Sequence, residues 1–322
     1  MTGPLLAYSE NPDLSAELLA ALREPARKLG GTIATIHIGP MQPADIEAYA
    51  AGGADEIYHV DVHGLREAGP AVLAEAIFKV ASETDSGLIL LPATKTGREV
   101  APRVAQRFQT GYASECVDPE LTEDGLTVRR LVLGGAYEAR LVLKKRPYIL
   151  TLRIRRQKPD TPPTSPKIVK VEFEPTAPRL ELVEVVKPEA ERVELERAEV
   201  IVAVGRGFKK KEDIKIAEEL AEVTGGELGC SRPISGDLKW LPEDRHIGLS
   251  GKRVRPNLYI AVGVSGQVQH LVGMRDSRTI IAINTDPNAP IMKEADYAIV
   301  GDLYKVLPAL TASLRRLLGK QA

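Results

Sequence analysis

Five apolar runs in the last third of the chain are each followed at once by residues able to bind a ligand. Gly205-Arg206-Gly207 follows 200–204, Ser231-Arg232-Pro233 follows 227–230, and Ser265-Gly266-Gln267-Val268-Gln269-His270 follows 258–264. Asn284-Thr285-Asp286 follows 279–283, and Gly301-Asp302-Leu303 follows 297–300. Doubly wound sheets bind ligands beyond the carboxyl ends of their strands, and a sheet that only packed would need no such residues there. The chemistry that fits is a dinucleotide. Gly263 and Gly266 permit a tight turn that brings backbone N–H groups up to phosphate oxygens, and Ser265 adds a hydroxyl. Arg206, between glycines, can set a guanidinium on the same diphosphate, and Asp302 can accept from a ribose hydroxyl. The turn reads Gly263-Val264-Ser265-Gly266 and is no G-x-G-x-x-G fingerprint, so each piece taken alone is equally a plain turn.

The elements that must position these residues form a compact α/β series. Strands are predicted at 199–204, 227–230, 258–264, 279–283 and 297–300, with helices at 211–224, 266–274 and 303–318. The first half alternates in the same way. Strands at 5–8, 32–38, 56–60 and 87–91 are separated by helices at 13–29, 43–51, 70–82 and 97–108, with Asp13 as an N-cap and Gly30-Gly31 as a stop. Such alternation predicts a parallel sheet covered on both faces. From about Tyr112 the texture changes to strands without helices (126–133, 136–143 and 148–154), read as an antiparallel extension. Two Pro-containing segments, 159–166 and 175–188, thin out the pattern before the second series begins. The fold class is therefore α/β with two domains: 1–197, and a Rossmann-like doubly wound domain over 198–322.

Composition excludes several function classes. A formal net charge of -1 gives no overall pull toward nucleic acid. Residues 129–158 carry ten Lys or Arg against one acid, and 171–199 carry nine Glu against four basic residues. Without interleaved aromatics, these read as oppositely charged surfaces on neighbouring strands. Cys116 and Cys230 are too few and too far apart for a disulfide framework or a zinc site. Neither a signal peptide nor a membrane-spanning run is visible, so a cytoplasmic protein is expected. His37, His59, His63 and His246 show no metal spacing, Trp240 reads as a packing residue, and 95–98 as an ordinary helix start.

Taken together, the strand-end residues resemble one family. The run Leu258-Tyr259-Ile260-Ala261-Val262-Gly263-Val264-Ser265-Gly266-Gln267-Val268-Gln269-His270-Leu271-Val272-Gly273-Met274 is similar to the signature of electron transfer flavoprotein alpha subunits. So are residues 281–291, Ala295-Asp296-Tyr297 and Asp302-Leu303, with Gly205-Arg206-Gly207, Ser231-Arg232-Pro233 and Ser250-Gly251-Lys252 upstream. The resemblance implies a non-covalent FAD. It assigns the adenosine diphosphate and ribityl parts to Arg206, Ser265, Gly266, Gln267, Val268, Gln269, Asn284, Asp302 and Leu303. Around the isoalloxazine ring it sets Ser231, Arg232, Ile247, Gly248, Leu249, Ser250 and His270. Ser250 stands where the family often has threonine, a hydroxyl that can reach flavin N5. Arg232, or a protonated His270, would favour the negatively charged reduced forms of the ring and raise its potential.

The resemblance also implies an electron carrier, not a stand-alone enzyme: a heterodimer with a beta subunit. Its donors would be flavin dehydrogenases, such as the acyl-CoA dehydrogenases of fatty acid beta-oxidation, and its acceptor a membrane quinone oxidoreductase. An electron-bifurcating pair, with a second FAD in the beta subunit and NADH as donor, is the alternative within the family. From the residues alone, an NAD(P)-dependent enzyme or a nucleotide-sensing module would fit the same pocket.

Overall fold

The computed structural model describes residues 3–61, 69–133, 137–156, 162–176, 184 and 194–319. The chain divides into two compact units, Met1–Val186 and Lys187–Ala322. In the first, β1 (Leu5–Tyr8), α1 (Pro12–Leu29), β2 (Ile33–Ile38), α2 (Pro43–Gly52), β3 (Glu56–Val60), α3 (Pro70–Glu83), β4 (Leu88–Pro92) and α4 (Lys95–Phe108) alternate. The four strands are parallel. Leu18, Leu22 and Tyr49 of α1 and α2 cover one face of the sheet, while Ile77 and Val104 of α3 and α4 cover the other. The N-cap of α1 is Asn11, not Asp13: its Oδ1 accepts from the N–H groups of Asp13 and Leu14. With Pro12 at the first helical position, where a missing N–H costs nothing, the helix begins earlier than predicted.

Beyond α4 come β5 (Tyr112–Thr122), β6 (Gly125–Val132), β7 (Tyr137–Leu143), β8 (Tyr148–Leu152) and β9 (Lys167–Lys170). They complete a nine-stranded sheet in the order β7-β6-β5-β8-β4-β1-β2-β3-β9. The antiparallel extension is β5-β6-β7 only. β8 inserts parallel to both β4 and β5, and all five of its residues are buried, as befits an interior strand covered on both faces. Arg129 on β6 pairs with Asp118 and Glu138 on the flanking strands, so part of the basic stretch is neutralised within its own sheet. The second Pro-containing segment, 175–188, and the acidic stretch 171–199 lie largely outside the described residues, whereas 162–166 of the first form a loop leading into β9.

The second unit contains β10 (Val200–Val204), α5 (Lys215–Thr224), β11 (Glu227–Cys230), β12 (Leu258–Val262), α6 (Val268–Met274), β13 (Thr279–Asn284), α7 (Pro290–Glu294), β14 (Tyr297–Val300) and α8 (Leu303–Leu317). All five strands are parallel, in the order β11-β10-β12-β13-β14. Tyr259 and Ala261 face α6 and α7 across one core, with Leu195 and Ile247. Ile260 and Val262 face α5 and α8 across the other, where Trp240 also packs. α6 is shorter than predicted: it starts at Val268, and the segment 265–267 is loop.

A candidate cofactor cleft at the switch point of the second sheet

The chain leaves β10 in one direction along the sheet, to β11, and reaches β12 on the other side of β10. The loops after β10 and β12 therefore diverge, and a crevice opens between them at the carboxyl ends. A cleft of about 830 Å³ lies there, within the usual range for a ligand site. Its floor is backbone against backbone. Gly207 N–H donates to Gly263 O at 3.0 Å, and a Cβ on Gly263 would stand 2.8 Å from the Gly207 Cα. Gly263 also sits at φ +60°, which an L side chain rarely adopts.

Ser231, Arg232, Ile247, Leu249, Ser250 and His270 line one part of the cleft. Arg232 Nη1 donates to Ser250 Oγ at 2.8 Å, joining the end of β11 to a loop held some way along the chain. That loop is fixed at several points. Ile247 N–H donates to Cys230 O at 2.9 Å, Leu249 N–H to Gln269 O at 2.7 Å, and Lys252 N–H to His246 O at 2.7 Å. Gly248 does not line the cleft; it lies where the loop touches α6, and a Cβ there would stand 2.9 Å from Gln269 O. His270 is buried, and its Nε2 meets the hydroxyl of the fully buried Tyr259 at 2.9 Å. Burial pushes His270 down to about 4, against a weaker opposing pull from the Ile247 backbone, and His246 pushes it lower. His270 is therefore neutral at pH 7. The protonated His270 offered as an alternative to Arg232 is corrected: burial disfavours the charged ring. His246 lines the same part of the cleft, and burial, then the Arg232 guanidinium, hold it below its ordinary value.

Arg206, Ser265, Gln267, Gln269, Asn284, Asp302 and Leu303 line the rest of the cleft. Asn284 is an internal tie: Nδ2 donates to Val264 O at 2.9 Å and Oδ1 accepts from Asp286 N–H at 3.0 Å. Asp302 is the N-cap of α8, with Oδ1 accepting from Tyr304 N–H at 3.0 Å. Gly266 and Val268 do not line the cleft. Gly266 is buried at φ +79°, where a Cβ would fall 2.3 Å from Ile291 N, and Val268 is exposed at the start of α6. Sequence reasoning overlooked Lys209, Tyr304 and His246, all of which line the cleft. Tyr304 OH donates to Asp213 Oδ2 at 2.6 Å and accepts from Lys209 N–H at 2.8 Å. Lys209 sits near Arg206 and Tyr304 directly after Leu303, so both lay beside strand ends already singled out; His246 reaches the cleft from a loop that carried no such signal.

A five-stranded parallel sheet with glycine-floored strand ends, cations and hydroxyls around a switch-point crevice defines a dinucleotide-binding α/β protein. Comparison with known proteins narrows this. Residues 194–275 match the family model described as the electron transfer flavoprotein FAD-binding domain, and residues 10–176 match the electron transfer flavoprotein domain. The chain is 37% identical over 313 residues to the electron transfer flavoprotein subunit alpha of Thermoanaerobacterium thermosaccharolyticum, covering 95% of this chain and 94% of that one. It is 36% identical to protein FixB of Clostridium saccharobutylicum, over 96% of this chain and 93% of the relative. Protein FixB of Escherichia coli is 39% identical over 71% of this chain and 74% of its own length. The chain belongs to the electron transfer flavoprotein alpha-subunit family, and its cofactor is FAD.

The residues present fit that cofactor. Arg206, Lys209 and Arg232 offer positive charge to a diphosphate and a reducible ring, and Ser231, Ser250 and Ser265 offer hydroxyls. The Gly207–Gly263 contact leaves the floor free of side chains.

Proposed function

We propose that the cleft holds FAD with its ring beside Arg232 and Ser250 and its adenosine diphosphate toward Arg206, Ser265 and Asp302. The observation that carries this reading is the Arg232–Ser250 hydrogen bond at 2.8 Å on the cleft wall. Because Ser250 Oγ accepts from the guanidinium, its own O–H remains free to donate to a ligand. Arg232 adds a positive charge that favours electron uptake by a ring placed next to it. When bound, FAD supplies the electron-accepting chemistry; the chain supplies binding, orientation and charge. Gln267 and Gln269 offer amides, and the buried Leu303 and Ile247 exclude water from parts of the wall.

The first domain, taken from the sequence to residue 197, then serves as the interface to a beta subunit in a heterodimer. The carrier accepts electrons from flavin dehydrogenases, among them those of fatty acid beta-oxidation, and passes them to a quinone oxidoreductase. Among the described residues no helix is long and apolar enough to cross a membrane, which suits a carrier working in the cytoplasm. The test is the visible spectrum of the complex purified with its partner, before and after dithionite. Flavin bands that bleach on reduction are expected; a correctly folded, ligand-saturated complex without them would remove the proposal.

A further inference from the structure

We propose that Tyr259 is a positioning residue for the cofactor: its phenol donates to His270 Nε2 and holds this histidine in the uncharged, Nδ1-protonated form beside the ring. This inference rests on the reading of the cleft as the FAD site. Tyr259 belongs to the central strand β12, is wholly inaccessible, and sits among Ile247, Val254 and Leu271 in an apolar core. Its hydroxyl lies 2.9 Å from His270 Nε2, with the two rings 6.2 Å apart and inclined at 57°. His270 in turn lines the cleft. The pair thus links the core of the sheet to the wall of the site.

The direction of this hydrogen bond follows from what surrounds it. Burial raises the Tyr259 phenol well above its ordinary value, so the O–H stays protonated. Among the described residues His270 is the partner of that hydroxyl. A hydrogen on Nε2 would point at the phenol oxygen and leave the phenol hydrogen unmatched on the fully buried Tyr259, the more deeply buried member of the pair. The phenol therefore donates, Nε2 accepts, and the ring proton resides on Nδ1. The Ile247 backbone pulls the ring toward protonation, although Nδ1 makes no hydrogen bond of ordinary geometry. The titratable and charged groups around the pair agree with an uncharged ring: His246 beside His270, Cys230 beside Tyr259, and Arg232 near His246. Glu243 also acts on His246, but the charged group that acts on His270 itself is His246, which lowers it further. Among the described residues lining this end of the cleft, Arg232 then carries the positive charge, and the flavin potential is uncoupled from His270 protonation near neutral pH.

The experiment uses the FAD-loaded complex with its partner subunit, labelled with ¹⁵N-histidine, with the His270 signals identified by His270→Asn. Long-range nitrogen–proton spectra at pH 7 are expected to show a protonated Nδ1 and an unprotonated Nε2, without titration between pH 7.5 and 5.5. In Tyr259→Phe the Nε2 signal is expected to shift toward that of a tautomer mixture, and the flavin potential to shift with it. A protonated Nε2 or an imidazolium in the wild type at pH 7 overturns the proposal, as does an unchanged tautomer in Tyr259→Phe. Should that variant not fold, the wild-type spectrum decides. Loss of flavin bands from the wild-type complex would instead refute the cofactor reading, so the two failures are distinct.

Discussion

Arg232, Ser250, His270 and Tyr259 show how one set of residues divides charge from structure. Arg232 and Ser250 are exposed to the cleft, while His270 and Tyr259 are buried behind it. The burial of His270 has a consequence for stability. Its folded value of about 4 lies below the 6.5 of an unfolded chain, so between these values the unfolded state binds more protons. The stabilising contribution is complete above about pH 6.5 and is lost as pH falls through about 4. Between pH 7 and pH 5 the difference is worth roughly 2 kcal/mol, to be read from denaturant unfolding at those two values. His270→Gln should flatten this slope, and an equal slope in both proteins would contradict it. The sequence made the types of these residues plain, and their strand-end positions made the cleft legible. It did not reveal the charge state of His270, because burial against Tyr259 and Ile247 arises only when three elements come together.

At the scale of elements, the turn between β12 and α6 carries the site. Gly266 is held at φ +79° against Ile291 in the first turn of α7, with no room for a side chain. Gly266→Ala would drive a Cβ into the Ile291 backbone and strain φ as well, destabilising the domain by roughly 2–4 kcal/mol. Weakened FAD retention on gel filtration, together with a lowered unfolding midpoint, would register this; unaltered values would show that the turn can relax. The strand–helix alternation of both domains was readable because apolar runs and caps are local signals. The parallel placement of β8 and the pairing of β9 beside β3 were not, since both depend on strands distant in sequence. The glycine at 266 was read as a turn residue, and the close approach of α7 adds a second reason that no side chain fits there. α6, with seven residues, starts beyond the loop that the sequence had placed inside it.

For the whole molecule, the cleft lies within the second unit, so FAD should stabilise that unit selectively. A ligand at a hundred times its dissociation constant adds about 2.7 kcal/mol to the state that binds it. In thermal unfolding, added FAD is expected to raise the transition assigned to the second unit and leave the first in place. Equal shifts in both would mean that the ligand is shared or that the units unfold as one. Cys116 and Cys230 should take no part in the redox chemistry: burial raises their thiols to about 12 and about 11. The chain's redox behaviour therefore comes down to the charge beside the flavin. The most direct measurement is a spectroelectrochemical titration of the FAD-loaded complex beside its Arg232→Ala variant. The variant should keep FAD and show a potential lower by on the order of 40 mV, the equivalent of about 1 kcal/mol for one electron. A potential unchanged in a variant that retains its flavin would contradict the account.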